Sequence, residues 1–186
     1  LSLDLAAVND APTATNLTQS VHYTAGAASV ALGDIVVTDV DGDIVTAVLT
    51  LDTPVAGALT VGTFGSASAT YNASTGQWTV TGSVADVNAA LADVSFVPAT
   101  DWDGSATIST LIRGSAGTGP TIGTITLGAT PVNDAPTGAG NAVTMQENGT
   151  QVLTLADFST GYADTEGDAL AAVKITATPL TGSLEY

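Results

Sequence analysis

The chain has 186 residues, with 18 acidic side chains against 2 basic ones, and therefore a formal net charge of −16. Arg113 and Lys174 are its only basic residues, so it cannot neutralise many phosphates, which excludes nucleic acid and an anionic membrane surface as partners. No apolar run reaches the roughly 18 residues of a membrane-spanning helix, so we expect no membrane insertion. The chain has no cysteine and is 45% apolar. It therefore needs a packed core or bound ions to hold its fold.

An internal repeat divides the sequence. Residues 8–13, Val-Asn-Asp-Ala-Pro-Thr, recur unchanged at 132–137, an offset of 124. The acidic stretch 39–43, Asp-Val-Asp-Gly-Asp, is matched by 164–168, Asp-Thr-Glu-Gly-Asp, at an offset of 125. Such constant spacing indicates tandem units. We expect three parts: residues 1–8 as the last strand of a preceding unit, residues 9–131 as a complete unit, and residues 132–186 as the truncated start of the next.

The first unit has the sequence pattern of a β-sandwich. Thr, Val, Ile and Ala dominate, and Gly, Pro, Asn and Asp interrupt them about every 8 to 12 residues. We expect these strands in chain order: 30–37, 44–51, a hairpin joining 69–71 to 77–81, then 106–112 and 122–127. The fold class that follows is all-β.

One segment breaks this alternation. Ser83 and Asp86 have the spacing of a helix start, and apolar residues then recur three and four positions apart. We expect a short helix over residues 84–92, crossing one end of the sandwich, and one such helix in each unit.

The acidic turn is the most informative local feature. Asp39, Asp41 and Asp43 repel one another unless a partner neutralises them. Ca²⁺ fits because it takes roughly six to eight oxygen ligands in flexible geometry, whereas the absence of cysteine and the single His22 disfavour softer metals. A solvated turn without metal is the alternative. The recurrence of the turn in the second unit, at Asp164, Glu166 and Asp168, favours calcium.

The expected topology suggests where ligands from distant segments meet. If each strand crosses the sandwich from end to end, the turn 39–43 lies beside the linker at one end. The loop 100–104 then lies at the other end, where the last strand leaves the unit. We expect the following residues to converge on calcium at the junction: Asp101, Asp103, Asn133, Asp134, Asp164, Glu166 and Asp168, with Glu147 as a further candidate. For Asp101 and Asp103, an ordinary Asp-Gly turn is an equal alternative.

Three features together carry a family resemblance: the Val-Asn-Asp-Ala-Pro linkers, the acidic turns and the stretch 81–108. The chain resembles the cadherin-like repeats of giant secreted bacterial adhesins, which include large surface proteins with RTX-type secretion signals. The resemblance implies immunoglobulin/cadherin-like Greek-key sandwiches in tandem, stiffened by calcium, at the bacterial cell surface. It implies these ligands: Asn9, Asp10, Asp39, Asp41, Asp43, Asn133, Asp134, Asp164, Glu166 and Asp168.

Two departures from the family pattern stand out. Thr24 occupies the position that Glu147 has in the second unit, so the first unit has one candidate ligand fewer. The loop 114–119 lacks the acidic Asp-Gly turn that the family carries there, so we do not expect an extra site on it.

Catalysis receives little support. His22 is the only histidine, and no Gly-x-Ser-x-Gly motif occurs. Trp78 and Trp102 are more typical of core packing and loop anchoring than of a sugar-stacking surface. We therefore expect a non-enzymatic extender module whose partners are neighbouring repeats of the same chain. The alternative is a repeat that itself binds a glycan or a partner-cell ligand. Asp52 is the carboxylate that we place outside any site.

Overall fold

A six-stranded sheet forms one layer of the first unit, and its central strand follows the period-two pattern. In β5 (Val45–Leu51), every odd-numbered residue is buried and every even-numbered residue is half-buried. The strand order is β2 (Gln19–Thr24), β13 (Gly123–Thr130), β12 (Ser105–Arg113), β5, β10 (Gln77–Gly82) and β9 (Thr70–Asn72). Neighbouring strands are antiparallel except β2 and β13, which run parallel.

Shorter strands form the opposite layer. The three-stranded sheet has the order β3 (Val30–Ala31), β11 (Ser95–Pro98) and β6 (Gly57–Leu59). Two further pairs are β1 (Thr13–Thr15) with β4 (Val36–Thr38), and β7 (Thr63–Phe64) with β8 (Ala67–Ser68). A 3-10 turn, Pro54–Ala56, precedes β6. Trp78 of the large sheet and Phe96 of the smaller one are fully buried in the shared core.

The predicted short helix is confirmed as α1 (Val84–Asp93). Ser83 caps its start, because the Ser83 hydroxyl oxygen accepts a hydrogen bond from Asp86 N at 3.2 Å. Val87, Ala90 and Leu91 are buried on one face. This agrees with the spacing of three and four that predicted the helix.

Two of the predicted β features had different outcomes. The hairpin is confirmed, with β9 and β10 antiparallel and Trp78 opposite Tyr71. The single strand over 30–37 is wrong, because the structure has β3 and β4 with a break between them. In that break, the Gln19 side chain pairs with the backbone of Gly33: Gly33 N donates to Gln19 Oε1, and Gln19 Nε2 donates to Gly33 O, both at 2.8 Å.

The structure, a computed structural model, describes residues 8–177. The chain divides into two compact units, Leu1–Val132 and Asn133–Tyr186. In the second unit, α2 (Leu155–Ser159) is a short helix, and Thr137 forms an isolated bridge with Ala163. Within the described part, strands far outnumber the two short helices, so the fold is all-β. The last strand predicted over residues 1–8 lies, apart from Val8, outside the described residues.

Neither described helix is long and apolar enough to cross a membrane.

Candidate metal sites

Strand pairing brings the first linker to the first acidic turn. Thr13, the first residue of β1, lies opposite Thr38, the last residue of β4. The residues just before β1 and just after β4 therefore meet at the same end of the unit. The contact is direct, because Asp10 N donates a hydrogen bond of 2.7 Å to Asp41 Oδ2.

The turn is organised around the carboxylate of Asp39. Its Oδ1 accepts hydrogen bonds from Asp41 N at 3.1 Å and from Asp43 N at 3.2 Å. Gly42, with φ of 69°, supplies the left-handed backbone that closes the turn. The second oxygen, Asp39 Oδ2, is buried and has no hydrogen-bond partner among the described residues. A buried, unpaired carboxylate oxygen is costly, and a bound cation would remove that cost, so this carboxylate fits a metal.

The loop 114–119 completes this group, although it carries no acidic residue. Ser115 Oγ lies 3.0 Å from Asp43 Oδ2 and 3.4 Å from Asn9 Oδ1. Gly114 allows the approach, since a Cβ at this position would lie 2.8 Å from Pro12 Cδ. We name Asn9, Asp10, Asp39, Asp41, Asp43 and Ser115 the first acidic site. No sequence motif predicts Ser115 as part of this site. Strand directions alternate along the chain, and this alternation predicts loop 100–104 at the far end of the unit. The same alternation could have predicted loop 114–119 at the end that holds the first acidic site.

The second unit repeats the hydrogen bonds of the linker. Asn133 Nδ2 donates to Asp134 O at 2.8 Å, as Asn9 Nδ2 does to Asp10 O at 2.8 Å. Asp134 N donates to Glu166 Oε2 at 3.1 Å, in the role of the Asp10–Asp41 bond.

The turn of the second unit is also built in the same way. Asp164 Oδ1 accepts from Glu166 N at 3.2 Å and from Asp168 N at 2.9 Å, and Gly167 has φ of 81°. The bridge between Thr137 and Ala163 takes the place of the pairing between Thr13 and Thr38. We name Asn133, Asp134, Asp164, Glu166 and Asp168 the second acidic site.

Three predicted ligands lie outside these two groups. Glu147 is exposed, and no hydrogen bond within residues 8–177 joins it to the second acidic site. Thr24, its counterpart in the first unit, pairs with Thr130 at the end of the sheet away from the first acidic site. Asp101 and Asp103 are exposed on the loop before β12, at that same far end.

Within the first unit, the charge of Asp103 acts on the Tyr23 hydroxyl. Burial raises the pKa of the Tyr23 hydroxyl, and the negative charge of Asp103 raises it further. Within residues 8–177, the Tyr23 hydroxyl oxygen and Trp102 Nε1 are both buried without a hydrogen-bond partner. Asp101 has φ of 57°, a turn conformation that Asp tolerates better than most residues. These observations suit the turn alternative as well as the ligand one, so the convergence of Asp101 and Asp103 on a junction ion stays a prediction.

The donor set decides which ion the acidic sites suit. Among residues 8–177, no three carboxylate or imidazole side chains form a ready metal centre by themselves. Instead, the carboxylates accept hydrogen bonds from backbone amides, and in the first site the amide oxygen Asn9 Oδ1 lies 3.4 Å from Ser115 Oγ. The first site adds a hydroxyl. Mixed oxygen donors with adjustable geometry suit Ca²⁺ better than Mg²⁺, which requires a near-ideal octahedron.

Other polar and aromatic candidates offer less. His22 is exposed, and its Nε2 lies 3.5 Å from Ser20 Oγ. Trp78 is fully buried and donates from Nε1 to Thr60 O at 2.8 Å, so it cannot stack on a sugar. Trp102 is half-buried against the core.

No protein-family model matches the chain, and no curated protein matches it significantly. The two acidic sites are therefore the features of the chain that bear on its function.

Proposed function

We propose that the chain is a calcium-stabilised extender module of a large secreted bacterial adhesin, without enzymatic activity, which stiffens a tandem array for cell-surface or biofilm adhesion. The observation that carries this proposal is the duplicated arrangement of hydrogen bonds around Asp39 and Asp164. In the first copy, it holds a buried carboxylate oxygen that has no donor.

The finer fold assignment is part of this proposal. In immunoglobulin-like sandwiches, one sheet pairs the second, fifth and fourth strands, and the other pairs the seventh, sixth and third. The orders β3-β11-β6 and β13-β12-β5 support that arrangement. The segment before β3 contributes β1 to one pairing and β2 to another. We therefore infer a cadherin-like Greek-key sandwich.

Calcium would first stabilise the fold by neutralising part of its negative charge. A net charge of −16 on a chain of this size destabilises the compact state by self-repulsion. An ion that binds only the folded chain adds RT ln(1 + [L]/Kd) to the free energy of unfolding, about 2.7 kcal/mol at one hundred times Kd.

Calcium would also shorten the free linker. β13 ends at Thr130, and the second acidic site begins at Asn133. Only Pro131 and Val132 lie between them, and the proline ring fixes one backbone dihedral. An ion that holds Asn133 and Asp134 to the turn of the second unit leaves little chain free to flex. This is the support for an extender role rather than a flexible tether.

The glycan-binding alternative gains nothing from the aromatic side chains most suited to it. Trp78 is inside the core, and the indole nitrogen of Trp102 is buried. We therefore keep the extender function.

Calorimetric titration of calcium into the metal-free chain tests the proposal. We expect at least two bound ions. Asp39→Asn should abolish binding at the first site and Asp164→Asn at the second, because each variant replaces a carboxylate oxygen with an amide group. Asp93→Asn is the matched control, since Asp93 is exposed at the end of α1. Absence of calcium binding at millimolar concentration refutes the proposal.

A further inference from the structure

The hydroxyl of Ser115 lies between two acceptor oxygens of the first acidic site. Asp43 Oδ2 is 3.0 Å away and Asn9 Oδ1 is 3.4 Å away. The orientation of the Asn9 amide is fixed, because its Nδ2 donates to Asp10 O at 2.8 Å. The oxygen of the amide, and not its nitrogen, therefore faces Ser115.

One hydroxyl cannot satisfy both neighbours. Serine carries a single O–H donor and two acceptor lone pairs, whereas a carboxylate oxygen and an amide oxygen only accept. If Ser115 donates to Asp43, then Asn9 Oδ1 faces the hydroxyl oxygen without a proton between them. Ser115 Oγ and its two neighbouring oxygens therefore share one proton, which leaves the surroundings of this hydroxyl electronegative.

The spacing of these oxygens matches that of a calcium shell. Ca²⁺ binds oxygens at about 2.3–2.6 Å, which sets neighbouring ligand oxygens roughly 3 Å apart. The two distances from Ser115 Oγ, 3.0 and 3.4 Å, fall at this spacing. Asp39, whose Oδ2 is buried without a partner, belongs to the same turn as Asp43.

We propose that Ser115 supplies its hydroxyl oxygen to the calcium ion of the first acidic site, so that the loop 114–119 forms a third wall beside the linker and the turn. This inference rests on the proposed calcium function and extends it. It assigns a ligand to a loop that carries no charge. The neutral hydroxyl also sets the affinity, because calcium sites strengthen with the number of charged ligands.

The test isolates the first site in the 186-residue chain. All variants carry Asp164→Asn, which should abolish calcium binding at the second acidic site. The heat of the titration then comes from the first site. On this background, calcium affinity is measured by calorimetry for Ser115→Ala, Ser115→Thr and Ser115→Asp. Ser74→Ala is the matched control, because Ser74 lies exposed in the turn between β9 and β10.

We expect Ser115→Ala to weaken calcium binding by about tenfold or more, because loss of even an outer-shell partner of a metal ligand costs about 10–100-fold. Ser115→Thr should restore the affinity, since it keeps the hydroxyl. Ser115→Asp should exceed the parent affinity, and Ser74→Ala should equal it. Equal affinities for Ser115→Ala and the parent overturn the assignment.

Melting curves distinguish a ligand from a structural clamp. If Ser115 is a calcium ligand, Ser115→Ala should lower the melting temperature mainly in the presence of calcium. An equal loss in calcium and in chelator would assign Ser115 a structural hydrogen bond only and overturn the proposal. If the parent chain itself binds no calcium, the proposed function fails with it. If the parent chain binds calcium but the Ser115 variants bind it with equal affinity, the assignment of Ser115 is wrong and the proposed function stands.

Discussion

At the residue scale, the carboxylates of this chain differ in what their oxygens contact. Asp39 uses one oxygen for two backbone amides and leaves the other buried without a donor. Asp52 uses both oxygens, since Thr107 N donates to Oδ1 at 2.9 Å and Thr107 Oγ1 donates to Oδ2 at 3.0 Å. Asp39 therefore needs a further partner and Asp52 does not. Asp52 lies outside the acidic sites, as the sequence predicts, but it joins β5 to β12 and is not inert.

The hydrogen bonds of Asp52 predict a pH dependence. Partial burial alone would raise the pKa of Asp52, but hydrogen bonds from Thr107 and Thr53 lower it below 3.8. Because the pKa is depressed in the folded chain, the ionised form stabilises it above the ordinary pKa. This contribution disappears as the pH falls through the lowered value. Asp52→Asn should thus cost about 1 kcal/mol at pH 7, allowing for solvent screening.

Urea unfolding of Asp52→Asn and the parent chain between pH 7 and pH 3, in chelator, measures this effect. The difference in unfolding free energy should shrink below the ordinary pKa of 3.8. A difference that stays constant over the whole range would show that the ionised form contributes nothing.

At the element scale, α1 protects the edge of β4 through one side chain. Val37 N donates to Asn88 Oδ1 at 2.8 Å, and Asn88 Nδ2 donates to Val37 O at 2.9 Å. Val37 is fully buried, so the amide of Asn88 takes the place of a neighbouring strand. An unprotected strand edge would otherwise leave backbone groups without partners.

Asn88→Ala should therefore lower the unfolding free energy by about 2–3 kcal/mol, because it leaves two buried backbone groups unpaired. Urea unfolding measures the loss, and hydrogen exchange at the Val37 amide locates it. Asp93→Ala, at the exposed end of the same helix, should change both measurements little. Unchanged protection of Val37 in Asn88→Ala would contradict the account.

The elements that could be predicted from the sequence are those with a local signal. β5 and β12 alternate over seven and nine residues, and α1 combines a cap with a helical spacing. The break between β3 and β4 could not be predicted, because it depends on Gln19, which comes from another strand and pairs with the backbone of Gly33. A Cβ on Gly33 would lie 2.6 Å from Gln19 Oε1.

The acidic sites were predicted to a similar extent and for similar reasons. The turns could be predicted from their clustered acidic residues, and the linker residues could be predicted from the family resemblance. Ser115 has no local signal, since a loop serine becomes informative only when strand directions place it beside Asp43. Glu147 stays a prediction: alignment of the repeats gives it a counterpart, Thr24, which lies in the first unit at the end of the sheet away from the first acidic site.

At the scale of the whole molecule, the extender function makes a prediction about motion. The chain has no cysteine, so cysteines introduced at Ser74 and Thr150 can carry two unique spin labels, one in each unit. Calcium should narrow the distribution of distances between the labels. Asp134→Ala should leave it broad even in calcium, because it removes a linker oxygen donor from the second acidic site.

Asp93→Ala is the control for this experiment and should behave as the parent chain does. A narrow distribution for Asp134→Ala in calcium would show that the ions act within single units and do not stiffen the linker.

The melting temperature of the parent chain, measured in calcium, in magnesium and in chelator, shows whether calcium stabilises the folded chain. Ion binding to the folded chain alone predicts a rise on the order of 5–10 °C per site at one hundred times Kd, with a much smaller rise in magnesium. The double variant Asp39→Asn, Asp164→Asn should show no rise in calcium. Equal melting temperatures of the parent chain in calcium and in chelator would contradict the account.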